Sequence, residues 1–251
     1  MIGIFDSGVG GLTVLRALRE ELPSADVVYF GDTKNAPYGE KSREELSALT
    51  VAGVRLLQER GAERIVSACN SVSASLAISL YDAFSLRHDQ LIEMVGPTVS
   101  FFRGTMARLA VCATPATIQS DIYGTAFRMI GKEVGNIAVP NLAGAIEFGT
   151  PEAKIEEIIA DAFKGQESFD VLILGCTHYP LVADIFAKVL GDSVAVFDPA
   201  EEVAERAKKL FWPQEVANGR TQFIISKESE RFRALAAELL PDKKYSVEVL
   251  E

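Results

Sequence analysis

Cysteine and histidine are scarce in this sequence, and basic charge is outnumbered. Three cysteines, Cys69, Cys112 and Cys176, and two histidines are spread over 251 residues. The cysteines are odd in number and lack C-x-x-C spacing, which argues against a disulfide framework and for a reducing, cytoplasmic setting. Against 35 acidic residues stand 25 lysines and arginines, for a formal net charge of −10. No basic excess exists to displace counterions from phosphates, so nonspecific nucleic-acid binding is disfavoured, as is an anionic membrane surface. No apolar run approaches the length of a membrane span, and no basic-then-apolar segment opens the chain as a secretory leader would.

What is present reads as an ordinary globular protein, 48% hydrophobic and 24% charged, long enough for one large α/β domain or two modest ones. Short apolar runs at Ile2–Phe5, Val27–Phe30, Arg64–Ala68, Leu109–Cys112, Val171–Leu174 and Val194–Phe197 predict buried strands. Leu15, Leu18 and Leu22 recur at helical spacing between two of them. Ser42 and Glu45 form a capping-box pattern ahead of a helix that Gly61 is placed to end. Strand-then-helix order throughout predicts α/β layers with mainly parallel sheets. Composition alone marks no domain boundary. One internal echo stands out: Arg64-Ile-Val-Ser-Ala-Cys69-Asn-Ser and Val171-Leu-Ile-Leu-Gly-Cys176-Thr-His each run strand, small residue, cysteine, two polar residues.

In open α/β sheets, ligands collect beyond the carboxyl ends of strands. Asp6-Ser7-Gly8, Asp32-Thr33, Cys69-Asn70-Ser71 and Cys176-Thr177-His178 all fall at such ends. The glycine loop after Asp6 leaves three readings open. It departs from G-x-G-x-x-G by having Thr13 in place of the last glycine, yet Asp32 would suit a ribose. It could also be a tight turn that only permits packing, or a set of amides and a Ser7 hydroxyl that hold a small anion, the reading preferred here. Cys69 and Cys176 could be core residues, but a thiol at a helix N-terminus is expected to have a lowered pKa and thiolate character. Cys112, inside a strand, reads as core. His178 is placed to assist proton transfer, or simply to pack. His88 lies in a polar stretch. A zinc site of Cys69, Cys176 and His178 is chemically allowed but has no supporting local spacing.

These same residues carry a resemblance. Ile2-Gly-Ile-Phe-Asp-Ser-Gly-Val-Gly-Gly-Leu-Thr-Val resembles the opening of the glutamate racemases, and Asp32-Thr-Lys-Asn-Ala-Pro-Tyr-Gly-Glu-Lys-Ser their second loop. Ala68-Cys-Asn-Ser-Val-Ser and Gly175-Cys-Thr-His-Tyr-Pro-Leu-Val resemble their two cysteine motifs, and Val139-Pro-Asn-Leu-Ala-Gly-Ala-Ile-Glu-Phe-Gly a further segment. The likeness runs to about Pro199. Ser71 and Val72 stand where Thr and Ala are usual, and Lys34-Asn35 where Ala-Arg is usual.

The resemblance implies two similar α/β domains, 1–95 with 209–251 and 96–208, with the active site in the cleft between them. It implies Cys69 and Cys176 as the acid–base pair, helped by Asp6, His178 and Glu147. It also implies substrate held by Asp6, Ser7, Asp32, Pro37, Tyr38, Gly39, Asn70, Ser71, Thr177 and His178. The implied reaction interconverts L- and D-glutamate without cofactor or metal and supplies D-glutamate for peptidoglycan, in a chain that could form a homodimer. Alternatives are an aspartate or broader amino-acid racemase, a cysteine hydrolase using Cys176 with His178, and a small-ligand binding protein whose chemistry has lapsed.

Overall fold

Apolar runs buried on both faces form central parallel strands, and among the described residues ten strands sort into two such sheets. The structure, a computed structural model, describes residues 1–75, 86–211, 217–241 and 244–250. The first sheet contains β1 (Ile2–Asp6), β2 (Val27–Gly31), β3 (Arg64–Ser67), β4 (Leu91–Glu93), β9 (Thr221–Ile225) and β10 (Tyr245–Val249) in the order β10-β9-β2-β1-β3-β4. The second contains β5 (Leu109–Ala113), β6 (Gly135–Ala138), β7 (Val171–Leu174) and β8 (Ala195–Phe197) in the order β6-β5-β7-β8. Every pairing is parallel.

Side chains of a strand alternate between faces, and β1 shows the result. Ile2 and Ile4 pack towards helices Leu12–Glu21 and Ala200–Phe211, whereas Phe5 joins helix Arg43–Glu59 on the other face. The second sheet is likewise covered on both sides. Ser42 Oγ accepts from Glu45 N at 3.2 Å and Glu45 Oε2 from Ser42 N at 2.9 Å, so the capping box forms as its spacing predicts. Beyond this helix Gly61 adopts φ +86°, a left-handed conformation suited to glycine.

The structure differs from the sequence reading at several edges. β1 extends through Asp6, and β3 stops at Ser67, which frees Ala68 and Cys69 for the turn. Strands β4, β6, β9 and β10 had no counterpart in the sequence reading; β9 carries the short buried run Phe223-Ile224-Ile225, whereas the other three lack a buried run of that kind. β4 has only three residues. β6 buries one residue in four, and the edge strand β10 none fully. Helix Ala200–Phe211 spans the expected boundary at 208/209, and its Val203, Ala204, Ala207 and Phe211 pack into the first sheet's core. Among the described residues no helix is long and apolar enough to cross a membrane.

Phe223 is fully buried on β9, with its ring 5.6 Å from Tyr29, 5.3 Å from Phe232 and 5.2 Å from Tyr245. Phe223→Ala is expected to lower unfolding free energy by about 3–5 kcal/mol in urea titration. Met106→Ser, at a position 97% exposed, should stay within about 0.5 kcal/mol of the parent.

Candidate active site

The carboxyl ends of the two sheets meet, and the glycine loop after β1 fits between them. Asp6 Oδ1 accepts from Gly8 N at 2.9 Å, and its Oδ2 accepts from Thr177 Oγ1, across the cleft, at 3.0 Å. Val9 N donates to Glu147 Oε2 at 3.0 Å. Tyr29 holds the loop from below, its hydroxyl donating to Gly8 O at 2.7 Å. Glycine is needed at two places: a Cβ on Gly8 would fall on both Glu147 oxygens, and one on Gly10 would lie 2.6 Å from His178 Nδ1. The Gly8 and Val9 amides therefore serve the protein's own carboxylates. This corrects the expectation that those two amides hold a small anion, while Ser7 of the same loop lines the cavity.

Cys69 follows β3 immediately before helix Asn70–Ser75, and its thiol donates to Ser7 Oγ at 4.0 Å. Burial, and then the Asp6 charge, push this thiol well above the ordinary cysteine range. That reverses the expected lowering at a helix N-terminus: a single short helix does not offset desolvation and an adjacent carboxylate. Cys176 follows β7, with Sγ 3.8 Å from His178 Nδ1. His178 Nε2 in turn lies 2.6 Å from Glu147 Oε2, both side chains being 3% exposed. Burial on its own would lower the imidazole pKa. The hydrogen bonds to Cys176 and Glu147, with their charges, outweigh it and raise the group well above its usual value. Cys112 is fully buried within β5, as its strand context predicts.

A narrow cavity lies between the thiols, lined by Ser7, Pro37, Tyr38, Gly39, Cys69, Asn70, Ser71, Cys176, Thr177 and His178. Asp6 and Glu147 stand behind this wall. Asp32 does not line it: its carboxylate accepts from Tyr38 Oη at 2.6 Å, Ser226 Oγ at 2.6 Å and Asn35 Nδ2 at 2.9 Å. Asp32 thus anchors Tyr38, and Asn35 of the unusual Lys34-Asn35 pair helps hold it. Three residues escaped the sequence reading. Thr114 lines the cavity, and its hydroxyl meets Ser71 Oγ at 3.0 Å and Thr117 Oγ1 at 3.1 Å. Tyr123 donates to Asn70 Oδ1 at 2.7 Å. The signal for Thr114 was available, since it directly follows β5 at a strand end. Thr117 and Tyr123 lie in the helices beyond and gave none. His88 sits in an exposed turn away from these residues. Among the described residues, no group of three or more His, Cys, Asp or Glu side chains is arranged to hold a metal ion.

Residues 12–207 match the family model described as Asp/Glu/hydantoin racemase. Glutamate racemase 2 of Caldanaerobacter subterraneus subsp. tengcongensis is 35% identical over 255 residues, covering 97% of this chain and 94% of that protein. A crystal structure of a glutamate racemase isoform from Bacillus anthracis superposes with a TM-score of 0.89 at 30% identity, covering 100% of this chain and 97% of that one. The glutamate racemase of Francisella tularensis, solved in complex with D-glutamate, gives 0.85 at 26% identity over 100% and 97% of the two chains. The chain belongs to the Asp/Glu/hydantoin racemase family, and with it to the isomerases.

The Glu147–His178 pair makes a titration prediction. A histidine whose folded pKa is raised contributes stability that is fully present below the unfolded value near 6.5 and is lost as pH rises through the folded value. Glu147→Gln removes the carboxylate that favours imidazolium, so the His178 ring is expected to titrate at lower pH than in the parent. Proton–carbon NMR of the His178 ring in parent and variant checks this.

Proposed function

We propose that this protein is a glutamate racemase that inverts the α-carbon with two cysteines and no cofactor. The observation that carries the reading is the placement of Cys69 and Cys176 on one narrow cavity, each at the carboxyl end of a strand from a different sheet. Removing a proton from one face and returning another to the opposite face calls for two groups, because a single base would have to cross the substrate plane. A thiolate accepts the α-proton, and the C–H electron pair stays on carbon. The opposite thiol then gives up its proton to that pair, so that one thiolate is exchanged for the other and no electron is gained or lost overall.

Cys69, held protonated by burial and Asp6, suits the role of acid. Cys176 beside His178 suits the role of base. That arrangement suits removal of the α-proton of L-glutamate by Cys176, while the D-glutamate direction calls for the opposite protonation of the pair, with Cys69 as thiolate and Cys176 as thiol. Neutral donors, Ser7, Asn70, Ser71, Thr114 and Thr177 with the backbone at Gly39, are positioned to hold carboxylates in a chain of acidic net charge. Water exclusion from a cavity this small strengthens such donors against the developing carbanion. D-Glutamate and β-substituted D-alanine are ligands of solved relatives by description, which supports a small amino-acid substrate here. Ser71, lacking a methyl, makes aspartate the competitor to include in a substrate panel.

A second reading has an observation in its favour. Cys176, His178 and Glu147 form a chain of contacts like a thiol hydrolase's nucleophile, base and orienting carboxylate. It leaves Cys69 on the same cavity without a role, and it predicts a covalent adduct by mass spectrometry where a racemase forms none. A racemase of this kind would work in the cytoplasm, supply D-glutamate for peptidoglycan, and could pair as a homodimer. Rescue of a D-glutamate auxotroph and sedimentation test the last two. We also take the two sheets as two structural units, with helix Ala200–Phe211 assigned to the first.

In deuterated water, L-glutamate should lose optical activity while gaining deuterium at the α-carbon, and inversion with the α-hydrogen retained would defeat the two-base scheme. Cys69→Ser and Cys176→Ser should each lower racemisation by roughly 10²–10⁴-fold, the range for losing a positioned acid or base. Cys112→Ala should leave turnover within about threefold, as a packing residue would. With an analogue bearing a leaving group on the β-carbon, elimination needs only one face. Each serine variant should then keep the reaction for one enantiomer and lose it for the other, with opposite preferences.

A further inference from the structure

The two ends of the Asn70 side chain are treated differently. Its Oδ1 accepts a 2.7 Å hydrogen bond from Tyr123, while its Nδ2 is buried with no partner. An unpartnered buried amide donor costs about 1–3 kcal/mol, and in native proteins such a group calls for an explanation. Asn70 lines the cavity between the thiols and Tyr123 does not, so Nδ2 is the end left for whatever enters. Tyr123 belongs to helix Ile122–Met129, which covers the second sheet, whereas Asn70 opens a helix on the first.

We infer that Tyr123 is a positioning residue, which holds Asn70 Oδ1 so that Nδ2 meets a carboxylate of the amino-acid substrate. The inference rests on the functional reading above, in which this cavity takes an acidic amino acid. A tyrosine hydroxyl both donates and accepts, so a flipped amide would also satisfy Tyr123, but it would turn Oδ1 towards the substrate and repel a carboxylate. Burial, and next the charge of Glu93, raise the Tyr123 phenol well above its usual value, so it keeps its proton for Oδ1. Phenylalanine at this position would keep the ring in its pocket, 2% exposed, and remove the restraint on the amide.

Calorimetric binding of D-glutamate, alongside initial rates in both directions, tests this in wild type, Tyr123→Phe, Asn70→Ala and the double variant. Tyr123→Phe is expected to raise Kd and KM about tenfold, as loss of one hydrogen-bond's worth of positioning implies, and to leave kcat within about threefold. In the Asn70→Ala background the same change should move Kd less than about twofold, because the residue it acts through is gone. A role in packing alone would instead give additive losses, and that result, or unchanged affinity in Tyr123→Phe, overturns the inference. Asn70→Asp provides a check that does not depend on Tyr123→Phe folding well. It keeps an acceptor for Tyr123 but turns an anionic oxygen towards the substrate, so it should bind more weakly than Asn70→Ala, and equal binding would also overturn the inference. Wild-type protein that binds no glutamate would overturn the functional reading instead.

Discussion

A buried carboxylate, Glu147, is the contact between the two halves of this molecule on which the site is arranged. Glu147, at the end of a helix covering the second sheet, accepts from the Val9 amide of the first and pairs with the His178 ring of its own. The backbone can come this close only because Gly8 carries no side chain. Removing a carboxylate so thoroughly from water is costly without partners, and both partners are supplied by loops that also carry the chemistry. The rest of the site is fixed relative to this contact: Asp6 reaches Thr177, Ser71 reaches Thr114, and Tyr123 reaches Asn70, each bridging the same seam.

The seam also makes the two thiols unequal although they occupy similar places. Each ends a parallel strand at its own sheet's carboxyl edge. Cys69 has a hydroxyl acceptor and a neighbouring carboxylate, whereas Cys176 has an imidazole backed by one. The asymmetry comes from what the loops bring in rather than from the strands. A fold that repeats its architecture can in this way distinguish two chemically identical side chains.

Much of this arrangement was legible from residues alone, and the exceptions have a common cause. Continuous apolar runs announced β1, β2, β5 and β7, and the polar residues just beyond β1, β3 and β7 do gather at one place. Asp32 obeyed the same strand-end rule yet turned out to serve Tyr38, because Ser226, one of its donors, comes from the end of β9, 194 residues away. The amides of the glycine loop looked free for an anion until Glu147 arrived from 138 residues away. Thr117 and Tyr123 reach the site across the cleft, through Ser71 and Asn70. A sequence read locally shows which groups stand at a strand end, but what already occupies their hydrogen bonds is decided by distant segments.

The path of the chain through its sheets bears on how the protein is made. All four strands of the second sheet lie between residues 109 and 197, while the first sheet pairs β2 with β9, joining Val27 to Thr221, and is completed by β10. During synthesis the smaller sheet can close while its neighbour still waits for its two outer strands, since domains fold as units once their segments have left the ribosome. Long loops closed late slow such pairing more than they weaken it. The first sheet, and with it the wall of the cleft that carries Cys69, is therefore complete only once β9 and β10 have been made.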